Sequence, residues 1–561
     1  MNFIRHLKDC IGRNRALKLQ STLLTLLSLA MMLTSHHVFA QGFLMTELVV
    51  PGAQTESVFP LGVNSSGSVV GYYTNSSGAF EGFLYSGGNY TALSYPGATG
   101  YTQATGINDS GTVVGIYQIN GDNTLHSYTY SAGVYSPYND YNGMSTSLYG
   151  INDAGDKVGS VGGNGVVEGY IDIGGQFTVF HASGSDATYA YGINSSLEVV
   201  GEFVDSSNNY HGFSRTSSGT ITQIDYPGAL ETVCYGINNS GEITGTYINS
   251  SNLPYGFTYA NGKFATTDFA GTRGVNNNGA YDGFYWGVDG VAQAYLAVPQ
   301  AFKLTGTKVP KSQQGALHGV NNAEVAVGHY VDSTGTEHGM MATLTTLKNI
   351  DDPKGVSTVC FGINSSKVIV GDYSDASGNP HGFEYNAGVF TDIPGPSGSV
   401  ASDATGINSA GVISGDFIDS SNLHHGFVLK SGVYTQLDVP GAYETFGGGI
   451  NASGLVTLFW VDFSGYIQSS LYNGTTYTTI DVPGAASTYA QGINTAGDIV
   501  FLWFDPYSVQ HSALKKGNDY YIFDFPNGSS TVAAGINDSG VIVGSYIPAG
   551  QTLPEPFYGT E

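Results

Sequence analysis

Charge is scarce in this chain. Only 11 % of its 561 residues are Asp, Glu, Lys or Arg. Lysine, glutamate and arginine are the usual fillers of surface helices, so helix-rich folds are disfavoured. Cysteine is nearly absent. Of three cysteines, Cys10 lies in an N-terminal leader, and Cys234 and Cys360 stand in "CYGIN" and "CFGIN", at equivalent places in separate repeats. A disulfide between them is not expected, and both read as buried strand residues. After residue 33 there is no apolar run long enough to span a bilayer. HExxH, GxSxG and P-loop patterns are missing, which removes the commonest sequence-readable catalytic centres.

What is present is small, polar and aromatic: 80 Gly and 39 Tyr, with Val, Thr and Ser. That mixture suits short strands joined by many turns. The first 40 residues differ. Arg5, Lys8, Arg13, Arg15 and Lys18 precede the apolar run "STLLTLLSLAMML" (21–33), and "VFA" (38–40) offers small residues for cleavage before Gln41. This is the order of a secretory signal, so residues 1–40 are expected to be removed and the mature protein to be extracellular or periplasmic. No cysteine follows the apolar run to accept a lipid. The leader holds five of the 18 basic residues and one of the 44 acids, leaving a mature net charge of −30. Such a surface repels nucleic acid and anionic lipid and tolerates neutral or basic ligands or a divalent cation.

Internal repetition dominates the sequence. "G-[IV]-N" occurs twelve times, with Asn at 64, 108, 152, 194, 238, 276, 321, 364, 408, 451, 494 and 537, at spacings of 38 to 45 residues. One unit, residues 226–269, reads as four strands, here a to d: "TVCYGI", "EITGTYI", "YGFTY" and "KFATTDF". Asn-x-x-Gly between a and b is a type I turn signal, with Asn holding its own backbone and Gly in the left-handed position. Its N-x-[ST] matches follow from the turn and are weak evidence for glycosylation. Nine residues after the Asn an aromatic recurs in eleven of twelve units, Val161 being the exception, and a Gly usually sits two residues earlier. The two share a strand face, as expected for cores between stacked sheets.

Four-stranded units of this length predict an all-β fold of β-propeller type with twelve blades. "FLMTELVVPGA" (43–53) aligns with strand d alone and "EPFYGTE" (555–561) with strand c alone. The sixth unit ends in a c-like "VAQAYLAVP" (291–299), and "AFKLTGTKVP" (301–310) restarts as d. Two six-bladed rings, residues 41–300 and 301–561, are therefore the first expectation, and one twelve-bladed ring the alternative. The units "GINDSGTVVGIY", "GINSSLEVVGEFVDSSNNYHGF" and "LDVPGAYETFGGGINASG" resemble the HAF-type extracellular repeat family of bacteria across residues 43–561. Units six, ten and eleven depart from it, lacking "VVG" or "HGF". The resemblance implies a secreted propeller-type repeat protein and carries no functional residues.

The candidate residues are pairs across the b–c loop: Asp205 and His211, Asp332 and His338, Asp375 and His381, Asp419 and His425, Asp505 and His511. The favoured reading is a loop clasp in which carboxylate and imidazole close a hairpin. The metal reading is weaker, because one Asp and one His per unit do not make a closed site and Gln468, Glu81 and Tyr255 stand at the His place. No cofactor is expected, with calcium ahead of zinc if a metal binds. No catalytic residue is assigned; Trp–Asp segments at 284–290, 459–466 and 501–507 are the irregular stretches that a sugar site could use. The function expected is a monomeric, secreted binding module at the cell envelope, for carbohydrate or a cell-surface partner. A glycosidase or lyase acting on polysaccharide and a purely structural scaffold are the alternatives.

Overall fold

The computed structural model describes residues 37–561 apart from 120–123, 139–143, 164–165, 268–269, 287–291, 308–311, 344–345, 506–507 and 527. The expected leader lies almost wholly outside the described residues, as does most of the 284–290 segment. Every described element is a strand, and no helix is long and apolar enough to cross a membrane. The fold is all-β and propeller-like. In the repeat of Asn238, strands Glu231–Ile237, Ile243–Ile248, Pro254–Ala260 and Lys263–Thr266 pair antiparallel in chain order.

The chain forms two compact units: Met45–Pro299, and Gln300–Glu561 with the described residues before Met45. The strand Ala292–Gly306 serves both. Its first part pairs with Tyr281–Trp286 as a strand c, and its last part, Lys303–Gly306, pairs with Phe557–Thr560 as a strand d. In the first unit the missing d strand comes from the N-terminal segment, where Leu48 N–H donates to the Ala294 carbonyl at 2.9 Å. The open ends of both units are thus paired, which leaves no bare edge at these seams.

The turn asparagines do more than shape turns. Asn408 Oδ1 accepts from Ala410 N–H and Val412 N–H, both at 3.0 Å, while its Nδ2 donates to the Asn451 carbonyl at 3.0 Å. The same donation runs through Asn64, Asn108, Asn152, Asn194, Asn238 and Asn276 and returns to Asn64, at 2.8–3.3 Å. In the second unit it runs through Asn321, Asn364, Asn408, Asn451, Asn494 and Asn537 and returns to Asn321, at 3.0–3.3 Å. Each unit holds one closed circuit of six. The glycine that opens each motif follows from the same crowding: a Cβ on Gly236 would meet the Arg273 carbonyl of the next sheet at 2.7 Å.

Within a sheet the strand-b glycine also has a partner that its own strand does not reveal. It lies in register opposite the aromatic of strand c, as Gly201 opposite Phe213, Gly371 opposite Phe383 and Gly415 opposite Phe427, all three rings fully buried. A Cβ on Gly201 would stand 2.9 Å from the Phe213 ring. In the tenth and eleventh repeats, where strand b lacks the glycine, the sizes are exchanged: Leu458 lies opposite Ser470, and Phe501 opposite Ala513. One large and one small residue fill each pair, whichever strand carries the large one.

Candidate functional site

The b–c loop is a second copy of the asparagine turn, with aspartate in the same role. Asp419 Oδ1 accepts from Ser421 N–H at 2.8 Å and Leu423 N–H at 2.9 Å, and Asn422 takes a φ of 68°. These bonds hold the carboxyl below its usual range, the Leu423 bond contributing most. Asp205 is likewise lowered, to about 2, chiefly by its bonds from Asn209 and then from Ser207. The other carboxylate oxygen faces the histidine. The separations to Nε2 are 3.1 Å for Asp375–His381, 3.5 Å for Asp332–His338 and Asp205–His211, 3.6 Å for Asp419–His425 and 3.9 Å for Asp505–His511.

A third residue completes the clasp. The shorter bond runs from Nδ1 to an aspartate ending strand d: His425 to Asp438 and His511 to Asp524 at 2.7 Å, His211 to Asp225 and His338 to Asp351 at 3.0 Å. The ring also stacks on the strand-b aromatic, Phe203, Tyr330, Tyr373, Phe417 or Trp503, with centroids 4.6–5.2 Å apart. Imidazole therefore ties strands b, c and d together. The d-strand aspartate was legible as the "D" of "LDVPGA" and "IDYPGA", but its partner lies 13 or 14 residues back. Among the described residues no three His, Cys, Asp or Glu side chains are placed to share an ion. Cys234 and Cys360 are free and buried.

Of the Trp–Asp segments, residues 287–290 and 506–507 lie outside the described residues, and Trp460, Trp503 and Asp462 are engaged in packing or in their own loop. Trp503 is 1 % exposed, and Trp460 Nε1 donates to Ser470 Oγ at 3.1 Å. Asp462 is occupied with its own loop, accepting from Ser464 and Tyr466 N–H.

Residues that do not repeat gather elsewhere, in the first unit, on strands a and b. The position before the G-[IV]-N glycine is Leu61, Thr105, Tyr149, Tyr191, Tyr235 and Arg273 in turn. The Tyr149, Tyr191 and Tyr235 rings follow one another with centroids 5.2 and 5.4 Å apart, and the Arg273 guanidinium sits 3.7 Å from the Tyr235 ring centre. Tyr191 Oη donates to Glu202 Oε1 at 2.7 Å. Tyr189 stacks nearly parallel to Tyr191. A second aromatic run joins Phe59, Tyr72, Phe80 and Tyr101. These tyrosines keep accessible surface, yet burial pushes the Tyr191 phenol well above its usual range and raises Tyr189, Tyr72 and Tyr235. These half-buried rings, with Glu202 and Arg273, form one connected row along strands a and b. Glu202 is raised by burial, against the lowering effects of Tyr191 and Arg273. The signal in the sequence was the variation of one column beside an invariant motif.

No family profile matches the chain, and no curated relative is similar to it. Among solved structures it is similar to the SapL1 lectin in complex with α-methyl fucoside, with 11 % identity over 42 % of this chain and 88 % of that one, TM-score 0.31. It is similar to a gluconolactonase of Xanthomonas campestris, at 10 % identity over 46 % and 89 %, TM-score 0.29. It is also similar to the β-propeller domain of the Trilobed protease of Pyrococcus furiosus, at 11 % identity over 66 % and 95 %, TM-score 0.20.

Proposed function

We propose that this chain is a secreted carbohydrate-binding protein made of two six-bladed propellers, with the sugar site in the first. The two asparagine circuits, each closing after six, support two rings over one ring of twelve. The leader-like N-terminus and the resemblance to HAF-type repeats support export to the envelope or beyond. One observation carries the binding reading: the row of half-buried tyrosines beside Glu202 and Arg273. Aromatic faces accept the C–H faces of a sugar ring, and a few convergent polar groups fix its hydroxyls. The repeated clasps are saturated with their own loops and offer no such surface.

The enzyme reading draws on Asp403 and Asp416 of the second unit, which lie directly opposite in register. Both are buried, at 5 % and 0 % exposure, so a polysaccharide meets no free carboxyl pair there. The test is a glycan array on the secreted chain, followed by titration of Tyr191→Ala and Glu202→Gln against the best glycan. Each substitution is expected to weaken binding tenfold or more, roughly 1–3 kcal/mol for a lost stacking or charge-assisted contact. Release of shortened glycan in place of stable binding would move the assignment to the enzyme, and unchanged binding in both variants would remove the tyrosine row from it.

A further inference from the structure

The second unit carries a different set of non-repeating residues at the corresponding places. The column before the G-[IV]-N glycine begins with His318, and the strand-b residue after the glycine is His329, Asp372 and Asp416 in its first three repeats. In the later repeats that place is Phe459, Leu502 and Ser545. The interior is therefore polar on one side and mainly apolar on the other.

Three buried polar atoms on one sheet face there have no hydrogen-bond partner among the described residues: Gln314 Oε1, His329 Nε2 and Glu337 Oε1. The register places them together, since Gln314 and Glu337 both pair with Val331, and His329 is two residues before Val331 on the same face. The His329 side chain is 1 % exposed, and its Nε2 faces Glu337 Oε1 at 3.7 Å. That is too long for a hydrogen bond. It is close to the separation of two ligands on one tetrahedral ion, about 3.4 Å for bonds of about 2.1 Å. The other ring nitrogen is already oriented: His318 Nε2 and His329 Nδ1 share a hydrogen bond at 2.9 Å. A ligating histidine characteristically has its second nitrogen held in this way. No lysine or arginine among the described residues pairs with Glu337 or with Asp372 in the neighbouring sheet, on which the Glu337 charge acts.

We propose that this interior position binds one first-row divalent cation of the zinc or manganese class, through His329 Nε2 and Glu337 Oε1, with Gln314 and water supplying further oxygens. One imidazole among oxygen donors suits such a cation better than calcium, which takes oxygen ligands throughout. The surface clasps differ, because their two carboxylates occupy opposite ring nitrogens.

The test uses the full secreted chain, stripped with chelator and titrated with Zn²⁺ by calorimetry. One tight site per chain is expected in the parent and in His425→Gln. His329→Gln and Glu337→Gln are expected to bind at least about tenfold more weakly. No tight site in the parent, or unchanged binding in both interior variants, overturns the proposal. X-ray absorption of the Zn²⁺-loaded parent gives a reading that does not depend on variants folding. An imidazole with oxygen ligands is expected, and sulfur or all-oxygen ligation overturns the assignment. Sugar binding is read separately, so either proposal can fail alone.

Discussion

Asn408 uses both ends of one side chain, its oxygen on its own turn and its nitrogen on the neighbouring sheet. Asp419 performs only the first of these tasks, in an exposed loop. Comparing the two separates turn chemistry from the link between sheets. Asn408→Ala leaves buried backbone groups on both sides unpaired and is expected to cost about 2–4 kcal/mol, each orphaned group contributing about 1–3. Asp419→Ala is expected to cost less than half as much, because water replaces its bonds. Urea unfolding of both variants decides the matter, and equal losses would show that the inter-sheet bond adds nothing. The turn role of these asparagines was legible in Asn-x-x-Gly. The donation to Asn451 was not, because the partner is a backbone carbonyl 43 residues away, brought near only when the sheets stack.

Within a sheet, the unit of packing is the pair of residues opposite each other on strands b and c. Gly opposite Phe or Tyr in most repeats and Leu458–Ser470 in the tenth are two solutions to one volume. A period-two reading of strand b correctly put Gly and the following aromatic on one face. It could not say which cross-strand neighbour fills the space above the glycine, since that depends on the b–c register. Leu458→Gly alone should open a cavity and cost about 2–5 kcal/mol. Ser470→Phe alone should overpack, at about 1–3 kcal/mol. The double variant should recover much of both losses, a coupling that a double-mutant cycle measures directly. Strictly additive losses would mean that the two sites relax independently. The clasp behaves similarly as an element: His425 and Asp419 were readable from their six-residue spacing, whereas Asp438 enters through strand d and changes a pair into a three-strand tie.

Across the molecule, two populations of carboxyls pull stability in opposite directions with pH. The loop aspartates have folded pKa values below the unfolded ones: Asp205 and Asp332 fall to about 2, held mainly by bonds from Asn209 and from Thr334. Their contribution is present above the unfolded value, about 3.9, and is lost as pH falls towards 2. The buried acids have raised values. Burial moves Asp282 to about 7 and Asp481 to about 6, and it holds Asp403 well above the usual range, with Asp372 and Asp416 adding to the effect. In the folded chain these groups keep protons that the unfolded chain releases, so stability declines as pH rises from about 4 to about 7. None of this was visible in composition, because an acid in a loop and an acid in the interior count alike towards net charge. The thermal midpoint of the secreted chain is therefore expected to peak near pH 4–5, to fall steeply below 3 and to decline gently towards neutrality. Asp282→Asn keeps an oxygen for Gly274 N–H, which now bonds Asp282 Oδ1 at 3.1 Å, and removes the titrating proton. It should flatten the decline towards neutrality while leaving the acid limb where it was. A midpoint that is highest at pH 7 in the parent, or an Asp282→Asn variant with the parent's slope, would show that these buried acids do not govern the pH response.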